Sequence, residues 1–146
     1  MSQAATASVE SVTPNEDRDR PGWVAPPIKA APKIRQLLWC TFWEDVMLPE
    51  MWKERPVLVV SFKNTLSGPC LVLPTSTDPQ EGNSAAWAHK LSFQPDGKRD
   101  SWVVCNHLYT VSPSRLAPAK VIPRVDEGEF NAILGRMYQW LPRLPE

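Results

Sequence analysis

Proline restricts this chain more than any other residue. Sixteen prolines stand against six glycines in 146 residues, and proline, with no N–H and a fixed φ, interrupts helix interiors and is confined to edges, bends and turns of sheets. This argues against a mostly helical protein and for short strands separated by turns. Two such strands stand out in residues 55–77, where 57–60 and 71–73 are short, continuous apolar runs, β-branched in part and bounded by Pro, Gly, Asn and Ser. Their length and boundaries favour strands over a buried helix. Paired as a hairpin across residues 63–68, they run antiparallel, which brings Arg55 at the start of one close to Thr75, Ser76 and Thr77 at the end of the other.

The length supports one domain and an arm. Hydrophobic residues make up 42% of the chain and seven are Trp, enough apolar area for a small core. Sixteen basic and sixteen acidic side chains cancel, so no global field draws the chain to nucleic acid or membrane, and any polyanion binding has to be local. Cys40, Cys70 and Cys105 lie in apolar, strand-like runs with no close pair and no metal-like spacing. They are expected to be buried free thiols in a reducing compartment. With neither an N-terminal apolar signal nor a run of membrane-spanning length, the expected location is the cytoplasm.

Residues 1–33 hold five prolines between Pro14 and Pro32 and little large apolar surface besides Trp23. Such a segment buries too little to offset its ordering entropy and reads as a disordered or loosely docked arm, pinned at most by Trp23. The domain, residues 34–146, begins with an aromatic-rich strand over 36–43. A connector, 44–54, carries four acids together with Met47, Leu48, Met51 and Trp52. Pro49 sits where a helical turn can start, and the connector serves as a lid, a contact surface or a satellite of the core. Residues 78–86 form a polar loop without an element. A hairpin over 87–105 turns at Pro95-Asp96-Gly97-Lys98, and 120–125 reads as a last edge strand. One long helix closes the domain. Asp126 and Glu129 resemble a capping box, Phe130, Ile133, Leu134, Met137 and Leu141 form its apolar stripe, and Pro142 ends it. The fold class is mainly β with a C-terminal α-helix, a small half-open barrel or strongly bent sheet.

Chemistry is sought in the polar clusters at strand ends. Arg55 either pairs with an acid such as Glu54 or waits for an anion. Thr75, Ser76 and Thr77 either close the strand as a hydroxyl turn or, with Arg55, hold a phosphodiester, since a guanidinium fork matches two phosphate oxygens. His89 and His107 are the only imidazoles. Each is a structural residue or a proton-transfer group, and neither has a ligand-spaced Cys or carboxylate, so no metal site is expected. Ser114-Arg115-Leu116 is a bend anchor or a further phosphate contact. The chain carries no Gly-rich phosphate loop and no nucleophile elbow.

Three stretches, in order, resemble the PemK/MazF family of toxins from bacterial toxin–antitoxin systems. Arg55-Pro56-Val57-Leu58-Val59-Val60 looks like the family's Arg-Pro-Val strand. Val72-Leu73-Pro74-Thr75-Ser76-Thr77 is similar to its strand ending in Pro-x-Thr-Ser or Pro-x-Thr-Thr. Thr110-Val111-Ser112-Pro113-Ser114-Arg115-Leu116 matches Thr-Val-Asp-Lys-Ser-Arg-Leu. The resemblance spans residues 35–141 and implies an SH3-like barrel, a homodimer, a cognate antitoxin whose tail fills the groove, and cofactor-free, metal-independent, sequence-selective cleavage of single-stranded RNA, mRNA above all. The ends it implies are a 2′,3′-cyclic phosphate and a 5′-hydroxyl. It places Arg55 at the family's catalytic Arg and Ser76 at its catalytic Thr, with Thr75 or Thr77 in that role if the register shifts by one. Asn64 and Arg115 are further candidates for catalysis or RNA binding. The family's Asp-Gln-Ile-Arg becomes Asn106-His107-Leu108-Tyr109, so His107 gains a possible proton-transfer role and Tyr109 a base-stacking one. Two rivals share the fold: a non-catalytic binder, whether a gyrase-directed toxin of the CcdB kind or a degenerate member, and an SH3-like interaction module.

Overall fold

The computed structural model describes residues 20–119 and 124–145. Among these, seven strands and one α-helix form: β1 Leu37–Thr41, β2 Glu54–Val59, β3 Cys70–Ser76, β4 Ala88–Lys90, β5 Trp102–Val104, β6 Tyr109–Val111, β7 Leu116–Ala117 and α1 Glu127–Tyr138. Every pairing is antiparallel, in the order β4-β5-β3-β2-β1-β7. β3 is the hub. β2 runs along one of its edges, while β6 takes Cys70 to Val72 and β5 takes Thr75 and Ser76 on the other. The result is a bent, barrel-like sheet that does not close.

The continuous apolar runs reflect burial on both faces, because successive side chains of a strand point to opposite sides. Val57 and Val59 join Leu38, Cys40, Val72 and Val111 in a core enclosed by the bent sheet. Leu58, between them, joins Leu37, Leu73 and Val103 on the other face, under Phe130, Ile133 and Met137 of α1. The helix stripe thus packs as its spacing predicts, except that Leu141 lies beyond the last turn and is 39% exposed.

Several expectations are corrected. Asp126 does cap α1, accepting from Glu129 N at 2.9 Å, but no reciprocal capping box forms. The Glu129 carboxylate instead accepts from Ser92 N (2.9 Å) and Ser92 Oγ (2.8 Å) and meets His89 Nε2 at 2.9 Å, tying the helix to the end of β4. The connector contains no helix, since Glu50 closes a turn onto Met47 through both backbone and side chain. Met51 alone is buried there, leaving Met47, Leu48 and Trp52 exposed. The 78–86 loop has an element after all, a 3-10 helix over Gly82–Trp87. Trp23 is 71% exposed and pins nothing, whereas Ile28 is buried in the first core. The edge strand expected at 120–125 falls largely outside the described residues. The strand that pairs with β1 there is β7, and Val125 is instead fixed by an exchange of backbone and side-chain hydrogen bonds with Arg35.

All three thiols are buried and unpaired. Burial pushes the Cys40 thiol up to about 12 and that of Cys105 to about 11, with Cys70 raised for the same reason. A thiolate-selective reagent at pH 8 should therefore find no reactive cysteine in the native protein and three after unfolding. Ile133→Ala, emptying the centre of the helix–sheet contact, should lower the unfolding free energy measured in urea by about 2–5 kcal/mol.

Candidate anion-binding groove

The register of β2 on β3 builds the site. Val57 faces Pro74, so Arg55, two residues earlier, lies at the level of Ser76, two residues later. Lys53 has a left-handed backbone (φ 58°) just ahead of β2, and the carbonyl of Trp52 faces Arg55. The Arg55 guanidinium is held by main chain alone: Nε and Nη2 donate to Trp52 O at 3.1 and 2.9 Å, and Nη1 donates to Thr75 O at 3.0 Å. These use three of its five N–H groups. Arg55 is 9% exposed, yet no carboxylate lies within ion-pairing distance of it among the described residues. The expected pairing with Glu54 does not form, and Glu54 instead accepts from Thr41 Oγ1. Burial lowers the basicity of the guanidinium, with Asp78 and Tyr109 acting the other way, but it remains a cation.

The three hydroxyls divide. Thr75 is buried and donates to Pro56 O at 2.8 Å, stitching β3 to β2. Ser76 is half-buried and its Oγ accepts from Asp78 N at 3.1 Å, which is the hydroxyl turn, with its own hydrogen left to donate. Thr77, also half-buried, follows it along the wall. Arg55, Ser76, Thr77 and His107 line one groove of about 570 Å³. His107 is half-buried, and its Nδ1, like the neighbouring Asn106 Oδ1, is enclosed without a hydrogen-bond partner among the described residues. Burial first, and the Arg55 charge second, push the His107 pKa below its ordinary 6.5. At neutral pH it is an uncharged imidazole able to take up a proton.

Three candidates lie elsewhere. Asn64 closes the β2–β3 loop, donating to Pro32 O and Ser61 O and accepting from Ser61 Oγ. Tyr109 is packed edge-on against Phe42 with ring centres 5.3 Å apart, and its phenol oxygen accepts from Met51 N at 2.8 Å. It supports the connector from below and is no stacking surface in the groove. The Arg115 guanidinium lies 4.8 Å over the Trp43 ring and donates to Thr41 O, making it the bend anchor. Sequence reasoning missed the Trp52 carbonyl, because a backbone acceptor leaves no trace in residue identity. It also missed Asp78, whose charge acts on Arg55. Among the described residues no group of His, Cys, Asp and Glu is placed to hold a metal ion, and no helix is long and apolar enough to cross a membrane.

A family model described as PemK-like, MazF-like toxin of type II toxin–antitoxin system matches residues 33–141. The structure is similar to that of MazF from Deinococcus radiodurans, with a TM-score of 0.60 at 15% identity over 76% of this chain and 96% of that one. It is similar also to a chain of the MazE–MazF structure from the same organism, at 0.55 and 14% over 76% and 95%. A third likeness is to an endoribonuclease in complex with its cognate antitoxin from a mycobacterial species, at 0.54 and 16% over 78% and 100%. At these identities the likenesses establish the fold. No curated protein matches the chain in sequence.

Because the native pKa of His107 lies below its unfolded value, the unfolded chain binds the proton first, and the stability this residue contributes is lost as pH falls from about 6.5 downward. Histidine NMR titration should place the His107 midpoint below 6.5. In Arg55→Ala, which removes the neighbouring positive charge, that midpoint should move up.

Proposed function

The chain belongs to the family of PemK-like, MazF-like toxins of type II toxin–antitoxin systems, and from that membership we propose that it is an endoribonuclease cutting single-stranded RNA in the Arg55 groove. One observation carries the reading: a guanidinium 9% exposed, satisfied by carbonyls, with Asp78 near it but no carboxylate at ion-pairing distance among the described residues and two N–H groups unused. A buried charge without a counter-ion is costly. A phosphate bridging the groove is the ligand that relieves it, and the charge-assisted fork fits two of its oxygens.

The nucleophile in this reading is the substrate's own 2′-hydroxyl, so the chemistry calls for no cofactor. Its oxygen bonds to the adjacent phosphorus as the bond from phosphorus to the 5′-oxygen breaks, giving a 2′,3′-cyclic phosphate and a 5′-hydroxyl. Arg55 and the donating hydrogen of Ser76 stabilise the charge that develops on the phosphoryl oxygens. His107, uncharged and lining the same groove, accepts the proton from the 2′-hydroxyl, and a solvent water molecule entering the open groove donates one to the departing 5′-oxygen. Thr77 extends the wall along which the backbone runs, while Thr75 holds the strands that carry Arg55 and Ser76. A homodimer in the cytoplasm, with an antitoxin segment seated in the groove as inhibitor, completes the proposal. Similar solved structures include a complex with a cognate antitoxin.

A second reading has one observation in its favour. Three cations, Lys53, Arg55 and Arg99, face four carboxylates, Glu50, Glu54, Asp78 and Asp96, along the groove, which suits a protein target better than a long polyanion. Incubation with a long single-stranded RNA in EDTA separates the two. Discrete cuts with cyclic phosphate ends, absent in Arg55→Ala and slowed about 10²–10³-fold in Ser76→Ala, are the expected result. Full activity in Ser76→Ala would remove that hydroxyl from the chemistry. Intact RNA alongside growth arrest would favour the protein target.

A further inference from the structure

Trp52 meets the groove twice. Its carbonyl accepts two N–H groups of Arg55 at 3.1 and 2.9 Å, and the residue, a large aromatic left 50% exposed, is one of those lining the same groove. Lys53 Nζ stands 5.1 Å from the ring centroid, a cation over the indole. Trp52 belongs to neither the core nor the residues packed against it, whose connector member is Met51, so its half-exposed indole is not there to fill the interior. Tyr109, the aromatic residue that the sequence suggested for stacking, is taken up by packing. We propose that Trp52 is the base-stacking platform of the substrate site, receiving the base of a nucleotide that flanks the phosphate on Arg55.

This rests on the ribonuclease reading and adds to it the residue that orients the strand. Aromatic stacking is open to every base, since each has a π face, and it holds single-stranded nucleic acid without demanding a sequence. A groove with no excess of positive charge needs such a contact, because phosphate attraction alone does not retain the strand. The shared anchor sets the spacing: one residue fixes the guanidinium through its backbone and the base through its side chain. Stacking is made equally in the ground and transition states, so its loss raises KM and leaves kcat nearly unchanged. Removing the indole leaves the carbonyl, and with it Arg55, in place.

The test compares wild type, Trp52→Phe and Trp52→Ala on a short single-stranded RNA spanning a mapped cut, and on copies with an abasic site at each flanking position in turn. Trp52→Ala should raise KM about 5- to 150-fold, and Trp52→Phe should recover most of that loss. One abasic position should weaken wild type but not Trp52→Ala, a coupling that a purely structural role does not produce. Unchanged KM in Trp52→Ala, or equal sensitivity to every abasic site, overturns the proposal. If wild type cuts no RNA, the ribonuclease reading falls by itself, and stacking is judged by fluorescence anisotropy with a labelled single-stranded RNA of mixed sequence. Equal Kd for wild type and Trp52→Ala, or no binding by wild type, then overturns it, while tighter binding by wild type sustains it.

Discussion

The pairing of β2 with β3 is the constraint on which the rest of the molecule depends. Because side chains alternate along a strand, setting Val57 opposite Pro74 decides at once which residues fill the enclosed core and which meet the helix. A slip of one residue would send Leu58 into the sheet interior and Val57 and Val59 under α1, exchanging both cores. The same register lifts Arg55 and Ser76 to one level at the end of the sheet. Packing and site therefore share a single origin, and the apolar runs that hold the fold also deliver the polar groups.

Electrostatics follows from that placement. Arg55 enters a nearly closed position whose acceptors are carbonyl dipoles, and these satisfy its hydrogen bonds without cancelling its charge. Burial first, and the uncancelled charge of Arg55 second, keep the His107 imidazole neutral. A permanent cation and an uncharged imidazole so coexist in one groove, the pair of protonation states that the proposed cleavage calls for. Asp78 moderates the cation from the groove rim without closing an ion pair on it.

Much of this was legible in the residues. Two apolar runs separated by breakers implied a hairpin, and the hairpin implied that Arg55 nears Thr75, Ser76 and Thr77. The stripe from Phe130 to Met137 gave the helix and its buried face. What stayed hidden was the direction of individual polar groups. Nothing in the composition of the strand end says that Thr75 turns its hydroxyl to Pro56 while Ser76 turns to Asp78. Glu129 has the spacing of a capping partner, and tertiary contacts with Ser92 and His89 outcompeted that local role. Tyr109 in a polar run looked available, yet Phe42 and Trp43, which follow β1 and lie far away in sequence, claimed its ring. Arg55 with Glu54 beside it suggested a salt bridge, but neighbours in a strand point to opposite faces.

The suspension of Arg55 from main-chain oxygens bears on how a lineage of such proteins can diversify. Carbonyls at positions 52 and 75 survive almost any codon change, so drift can rewrite the side chains around the cation without dislodging it. Selection is then free to retune what the groove accepts, one rim residue at a time, while the charge at its centre is inherited intact.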